Sequence, residues 1–233
     1  MSVKLIECES KYVILRKLNW LDKYHCHSHI LKRRGYLFAK RMMDLGLILI
    51  STPLWLILLL FTAILVKMEY PKNPMFFLQR RTGKGGRQFS IVKFRTMVPD
   101  AEKRKKELMV LNELKWPDFK IQNDPRITKI GHFLRKTALD ELPQIINVLR
   151  GEMSLVGPRP TSFSVNTYAL WQTARLEVTP GITGLWQIIG RGASEFDSRT
   201  RLDIIYIDKC CIFLDIQILF RTVTALFEQR GIH

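Results

Sequence analysis

The sequence predicts a mostly helical α+β protein with one small β-hairpin and an apolar helical element at the membrane. Three observations carry this. No charged residue occurs from Leu45 to Val66, a run long enough for a membrane helix. Met75–Arg81 and Gln88–Phe94 read as two strands joined by the turn Thr82-Gly83-Lys84-Gly85-Gly86-Arg87, with Phe89, Ile91 and Lys93 alternating with the positions between them. Leu142, Ile145, Ile146 and Leu149 recur at helical spacing, with Gly151 as a stop.

The apolar run is interrupted by Pro53, directly after Ser51 and Thr52. A proline there removes an i→i−4 hydrogen bond and bends the helix, and neighbouring hydroxyls re-satisfy the freed carbonyls. Lys32, Arg33, Arg34, Lys40 and Arg41 precede the run; Lys67, Lys72, Arg80, Arg81, Lys84 and Arg87 follow it. A simple span exports one of these clusters, against the positive-inside rule, whereas a helix that breaks at Pro53 and returns keeps both on one side. These residues leave a kinked span and a re-entrant helix both open.

The hairpin's turn is glycine-rich and basic but lacks the order of a nucleotide P-loop, so it reads as loop chemistry. A charged surface helix is expected over Asp100–Leu114, ending near Trp116-Pro117, and a turn at Asn123–Thr128. The stretch Lys136–Gln144 then sets two adjacent carboxylates, Asp140 and Glu141, just ahead of an amphipathic helix. Pro143 is tolerated only in a first turn, so both acids belong at or before the helix N-terminus, where anions are favoured. Taken alone, Asp140 reads as a cap. Gly157-Pro158-Arg159-Pro160 follows, and the two prolines fix the direction of one guanidinium, a geometry suited to phosphate. The charges Arg191, Asp197, Arg199, Arg201 and Asp203 fit an ion-pair network as well as a substrate site. Ile204–Phe227 is apolar but interrupted by charge, which suits helices at the membrane surface or in the core.

Composition narrows the partners. Lys and Arg total 37 against 21 acidic residues, a net charge of +16, so the partner is polyanionic: nucleic acid, anionic lipid or a phosphorylated substrate. Four cysteines, two of them adjacent, exclude a disulfide framework and fit a reducing compartment. The first forty residues are least informative. Tyr12–Leu21 is apolar enough for a short interfacial helix, and His25-Cys26-His27-Ser28-His29 lacks zinc-site spacing and reads as a solvated turn. No cleaved signal peptide is expected.

Together these segments resemble the bacterial sugar transferase family, the monotopic polyprenol-phosphate phosphoglycosyl transferases. The resemblance runs from Lys40-Arg41-Met42-Met43-Asp44 to about Phe227. It rests on Gln79-Arg80-Arg81-Thr82-Gly83, Lys93-Phe94-Arg95-Thr96-Met97, Asp124-Pro125-Arg126-Ile127-Thr128, Leu139-Asp140-Glu141-Leu142-Pro143-Gln144, Ser154–Pro160 and Pro180–Gln187, in family order.

The resemblance implies an N-terminal extension over 1–39, a re-entrant membrane helix over 40–67 broken at Thr52-Pro53, and a cytosolic catalytic domain over 68–233 with interfacial amphipathic helices. It also implies transfer of a sugar-1-phosphate from a UDP-sugar to undecaprenyl phosphate, releasing UMP, at the bacterial cytoplasmic membrane. Asp140 is then the nucleophile that forms a covalent phosphosugar. Glu141, with Asp140, holds Mg²⁺, and Arg159 contacts phosphate, joined by Lys93, Arg95 and Arg126. Departures are modest: Ala138 stands where Ser is frequent, and Cys210 where Trp is common. Longer relatives carry further membrane helices and another domain ahead of this core, for which 233 residues leave no room. The competing reading is a non-enzymatic, membrane-tethered basic protein that binds nucleic acid or anionic lipid. It explains the charge and the apolar run but not the carboxylate pair beside Arg159, and no nucleic-acid-binding motif appears.

Overall fold

Two helices meet at Ser51, where the chain breaks at the predicted place. α1 (Ile30–Ile50) and α2 (Thr52–Glu69) form this arm in a computed structural model that describes residues 30–112, 121, 123–189 and 195–227. Tyr12–Leu21, the His25–His29 cluster, Trp116-Pro117 and Arg191 lie outside the described residues. α1 is helical well before Lys40, the expected start of the membrane element. At the break the Ile48 carbonyl accepts from Thr52 Oγ1 at 3.0 Å and from Trp55 Nε1 at 3.0 Å. Ser51 Oγ donates to Leu47 O at 2.7 Å. Side chains thus supply the bonds that a helix with Pro53 at its N1 or N2 position cannot make.

α2 is long and apolar enough to cross a membrane, and its outer residues Leu54, Ile57, Leu60 and Ile64 are exposed. The inner side of the arm is different. Ile48 packs with Ile91, Val148 and Met153, and Val66 with Phe94 and Leu134, so the arm's base belongs to the hydrophobic core of the domain.

β1 (Phe76–Thr82) and β2 (Gln88–Phe94) form the expected antiparallel hairpin, Phe76 opposite Phe94 and Thr82 opposite Gln88. Gly85 and Gly86 turn it with φ of 62° and 75°, values that favour glycine. The helix expected over Asp100–Leu114 is shorter. α3 (Ala101–Glu107) tightens into a 3₁₀ turn at Leu108–Leu111, where Met109, Val110 and Leu111 stay exposed and no burial favours further α-helix.

α4 (Lys129–Lys136) is capped by Thr128, whose Oγ1 accepts from Gly131 N at 2.9 Å. The amphipathic helix expected after Asp140 is also corrected. Leu139–Gln144 is a 3₁₀ stretch containing Pro143, and only Ile145–Leu149 (α5) is α-helical. A proline N–H is missing, so the tighter winding replaces the α pattern there.

β3 (Ser154–Val156) and β4 (Gly181–Thr183) pair in parallel, a sheet the sequence reading did not anticipate. A Cβ on Gly181 would sit 2.1 Å from Gly157 N, so this close approach requires glycine. α6 (Leu185–Ile189), α7 (Phe196–Lys209) and α8 (Ile212–Phe227) close the domain. α8 has two apolar faces: Leu214 and Ile218 are fully buried against Val156, Leu185 and Tyr206, while Phe213, Ile216, Phe220 and Val223 are exposed.

Three charged residues of α1 tie the arm to this domain. Lys40 Nζ donates to Asp215 Oδ2 at 2.8 Å, and Tyr36 and Tyr206 hydroxyls complete that carboxylate at 2.8 and 2.7 Å. Arg41 donates to the Val148 and Leu149 carbonyls at 2.5 and 2.9 Å. Asp44 accepts from Ser154 Oγ at 2.7 Å and from Leu155 N at 3.3 Å. Arg41 therefore grips the end of α5, and Asp44 grips β3.

Candidate active site

The backbone turns sharply where the carboxylates begin. Ala138 lies in the left-handed region at φ 56°, the only non-glycine among the described residues to do so. Such a conformation is costly for alanine and persists where surrounding structure enforces it, which is common at functional sites. It directs the following 3₁₀ stretch across β2. Asn147 secures that packing: its Oδ1 accepts from Val92 N at 3.1 Å, and its Nδ2 donates to Ser90 O at 2.8 Å. Lys93, near the end of β2, is thereby brought to Glu141.

Arg159 arrives from the other side, on the segment that leaves β3. Arg175 holds that segment by donating from Nη2 to the Arg159 carbonyl at 2.8 Å and to Asp203 Oδ2 at 2.7 Å. An isolated bridge pairs Thr82 with Thr161, so the end of β1 is also fastened there.

Glu141 is the anchor of the cluster. Lys93 Nζ donates to its Oε1 at 2.6 Å. Arg159 grips it as a fork, Nη1 to Oε2 at 2.9 Å and Nη2 to Oε1. Burial favours protonation of Glu141, but Arg159 and Lys93 outweigh it and hold the carboxyl well below the usual range. Burial lowers the Lys93 pKa while Glu141 opposes that change; for Arg159 the pull of Glu141 exceeds desolvation and raises it.

Asp140 is treated oppositely. It is only 8% exposed, yet no donor among the described residues bonds its carboxyl oxygens. Burial pushes its pKa up to about 6, Lys93 resists, and Glu141 adds to the rise. One acid is clamped and ionised. Its neighbour is bare and more basic than an ordinary carboxylate.

The structure brings together four of the residues predicted from sequence: Asp140, Glu141, Lys93 and Arg159. Two others go elsewhere. Arg126 donates to Asp124 from Nε at 2.9 Å and from Nη2 at 2.6 Å, and to the Ala101 carbonyl at 3.2 Å, a buried ion pair that fixes the turn. Arg95 donates to the Pro74 carbonyl at 3.0 Å and lies over the Phe77 ring. In exchange the cluster gains two arginines that sequence reasoning missed. Arg135, on the last turn of α4, faces Asp140 electrostatically and donates to Thr96 Oγ1 at 3.0 Å. Arg81 stands beside Arg159 and reaches the Pro160 carbonyl at 3.4 Å. Strand alternation was the available signal for Arg81, since it shares a face with Gln79 rather than with Arg80.

Among the described residues no cluster of three or more Cys, His, Asp or Glu side chains could cage a metal. The donor set fits an ion that needs only one or two carboxylates, with phosphate oxygens and water as its remaining ligands, which is how Mg²⁺ is commonly held.

A profile of the bacterial sugar transferase family matches residues 35–229. The chain belongs to that family. Within it, the chain is 43% identical over 220 residues to the galactosyl transferase CpsE of Streptococcus agalactiae, covering 93% of this chain and 49% of that protein. It is 38% identical over 210 residues to the undecaprenyl-phosphate galactose phosphotransferase of Salmonella typhimurium, covering 86% and 43%. It is 38% identical over 210 residues to the UDP-galactose-lipid carrier transferase of Erwinia amylovora, covering 88% and 43%. The chain thus spans about half the length of these curated relatives.

Proposed function

We propose that this sugar transferase moves a sugar-1-phosphate from a UDP-sugar to undecaprenyl phosphate and releases UMP. The observation that carries the reading is Asp140, a buried carboxylate that no donor among the described residues bonds, beside a glutamate that organises two cations. A carboxylate attacking a diphosphate meets charge repulsion, so phosphate charge must be neutralised first. Lys93 and Arg159 are placed for that task, and Glu141 fixes their positions. Asp140 Oδ forms a bond to the sugar-linked phosphorus, the bond to the nucleotide phosphate breaks, and UMP leaves with the electron pair. The lipid phosphate then attacks the same phosphorus and frees Asp140, a two-step covalent scheme.

Mg²⁺ belongs to this reading, with Asp140 and Glu141 as its protein ligands; when bound it neutralises phosphate charge. Both Glu141 oxygens already accept from Lys93 or Arg159, so ligation by Glu141 requires one cation to let go. Arg95 and Arg126 are left outside the phosphate site in this reading, because each is committed to other partners. The arm is read as a re-entrant element. Its basic flanks and its break at Ser51 support that, with the catalytic domain facing the cytoplasm at the bacterial membrane. The exposed apolar face of α8 suits the interfacial plane, where a lipid-bound acceptor is met. The step is the first membrane reaction of exopolysaccharide, capsule, O-antigen or glycoconjugate assembly.

The names of the three relatives make UDP-galactose the first donor to test. The full chain in nanodiscs, given undecaprenyl phosphate, Mg²⁺ and a panel of UDP-sugars, is expected to release UMP from at least one of them. Silence across the panel overturns the reading. A salt-sensitive shift of nucleic acid by a protein that turns over no donor favours a basic binding protein instead.

A further inference from the structure

The active-site cluster holds more positive charge than its carboxylates match. Lys93, Arg81, Arg135 and Arg159 face Asp140 and Glu141, which leaves an excess equal to the charge of a nucleoside diphosphate sugar. Glu141 is spoken for by Lys93 and Arg159. Among the described residues, Arg81 has no carboxylate of its own. Its Nη2 donates to the neutral Gln79 Oε1 at 2.5 Å, its Nη1 makes a long bond to the Pro160 carbonyl at 3.4 Å, and its Nε is buried without a partner. Keeping a guanidinium there with neutral partners is unfavourable unless an anion completes it.

Its position is fixed rather than incidental. Thr82 N donates to Thr161 O at 2.9 Å, and Thr82 Oγ1 donates to Phe163 O at 2.6 Å, which locks the end of β1 to the chain leaving Arg159. The two arginines are thus neighbours held by backbone. Their order relative to the nucleophile is also defined. Arg159 bonds Glu141, the residue next to Asp140, whereas Arg81 bonds the Pro160 carbonyl and Gln79 and makes no bond to either acid, so Arg159 stands nearer the nucleophile and Arg81 on the far side of the Arg159 segment. In a displacement at phosphorus the leaving oxygen departs on the side opposite the attacking one.

We propose that Arg81 binds the leaving phosphate of the donor, that of the nucleoside monophosphate, while Arg159 takes the phosphate that Asp140 attacks. This rests on the donor reading above. As the Asp140–phosphorus bond forms and the bridging P–O bond breaks, negative charge accumulates on the departing phosphate beside Arg81. Arg81 therefore acts in the first half-reaction and not in the second, because the nucleotide has gone before the lipid phosphate attacks.

Two measurements on the full chain in nanodiscs test this. In calorimetry with UMP and with uridine, Arg81→Gln is expected to weaken UMP at least about tenfold, leave uridine unchanged, and be partly rescued by Arg81→Lys. In steady-state kinetics, kcat/KM for the donor is expected to fall about 10²-fold, with kcat/KM for the lipid acceptor held within about twofold. Arg80→Gln, exposed on the opposite face of the strand, is the matched control and leaves both unchanged. Equal loss in both kcat/KM values, or unchanged UMP affinity, overturns the proposal. If wild type turns over no UDP-sugar while Arg81→Gln still loses UMP, the donor reading fails and the nucleotide-phosphate site stands.

Discussion

Two buried charge clusters in this protein obey opposite rules. Around Asp215, every carboxylate oxygen is filled: Lys40 and Tyr36 on Oδ2, Tyr206 on Oδ1. Around Asp140, the carboxylate is bare and the surrounding cations outnumber the acids. The first cluster is electrically closed and joins the arm to the domain. The second is open, with cations left in excess of its acids. The contrast teaches that burial of charge alone does not mark a catalytic site. Unmatched charge beside an unbonded carboxylate is the better pointer.

The contrast is sharpest in the Asp140→Asn variant. Turnover is expected to fall at least about 10³-fold, measured as UMP release. The same change stabilises the fold. With a folded pKa of about 6, above the ordinary 3.8 of an aspartate, native Asp140 binds protons more tightly than unfolded Asp140, so its contribution to stability falls as pH rises from about 4 to about 6. Asparagine removes that penalty, a gain of about 1–3 kcal/mol at neutral pH that vanishes below about pH 4, read by denaturant melts at both pH values.

Asp215→Asn is expected to behave in the opposite sense. It leaves Lys40 buried without its counter-charge and destabilises by about 3–5 kcal/mol, while Lys40→Met with Asp215→Leu together recovers most of the loss. If Asp215→Asn is neutral in denaturant melts, the closed-cluster description fails.

Glu141→Gln tests the link between the two acids. It frees Lys93 and Arg159 from their anchor, and kcat/KM for the donor is expected to drop about 10²-fold. On the proposed covalent scheme, which requires an ionised Asp140, wild type is expected to lose activity as pH falls through about 6. Removing the negative neighbour lowers the Asp140 pKa, so this acid limb moves to lower pH in Glu141→Gln, seen in a pH–rate profile. The smallest effect belongs to Ala138→Gly. Relief of the left-handed strain exceeds the entropy cost of glycine only slightly, a gain of about 0.5 kcal/mol in thermal or chemical melts.

Much of this was legible in the residues. Alternation at Phe89 and Ile91 with a glycine-rich turn marked the hairpin, and Ser51-Thr52-Pro53 marked the break, because both depend on local chemistry. The Pro143 turn was misjudged as helix although the missing N–H was in view; the 3₁₀ alternative satisfies that constraint equally well. The parallel pairing of β3 with β4 was not readable, since strands of three residues carry no periodicity. Lys40 and Asp215 are 175 positions apart, a pairing that no window along the chain reveals. Arg81 and Arg135 were hidden among 37 basic residues, and only the fold separates those beside Asp140 from the rest. Arg126 was the reverse case: an acid two positions earlier offered a partner that the motif reading passed over.

The central claim is that Asp140 carries the sugar phosphate. Incubating the full chain in nanodiscs with donor and Mg²⁺ but no lipid acceptor, followed by intact-mass and peptide analysis, tests it directly. The expected result is a mass increase of one sugar phosphate on the peptide containing Asp140, with one UMP released per protein, lost on adding undecaprenyl phosphate and never formed by Asp140→Asn. Turnover of the donor with lipid present but no adduct on Asp140 in its absence, or an adduct that persists in Asp140→Asn, contradicts it.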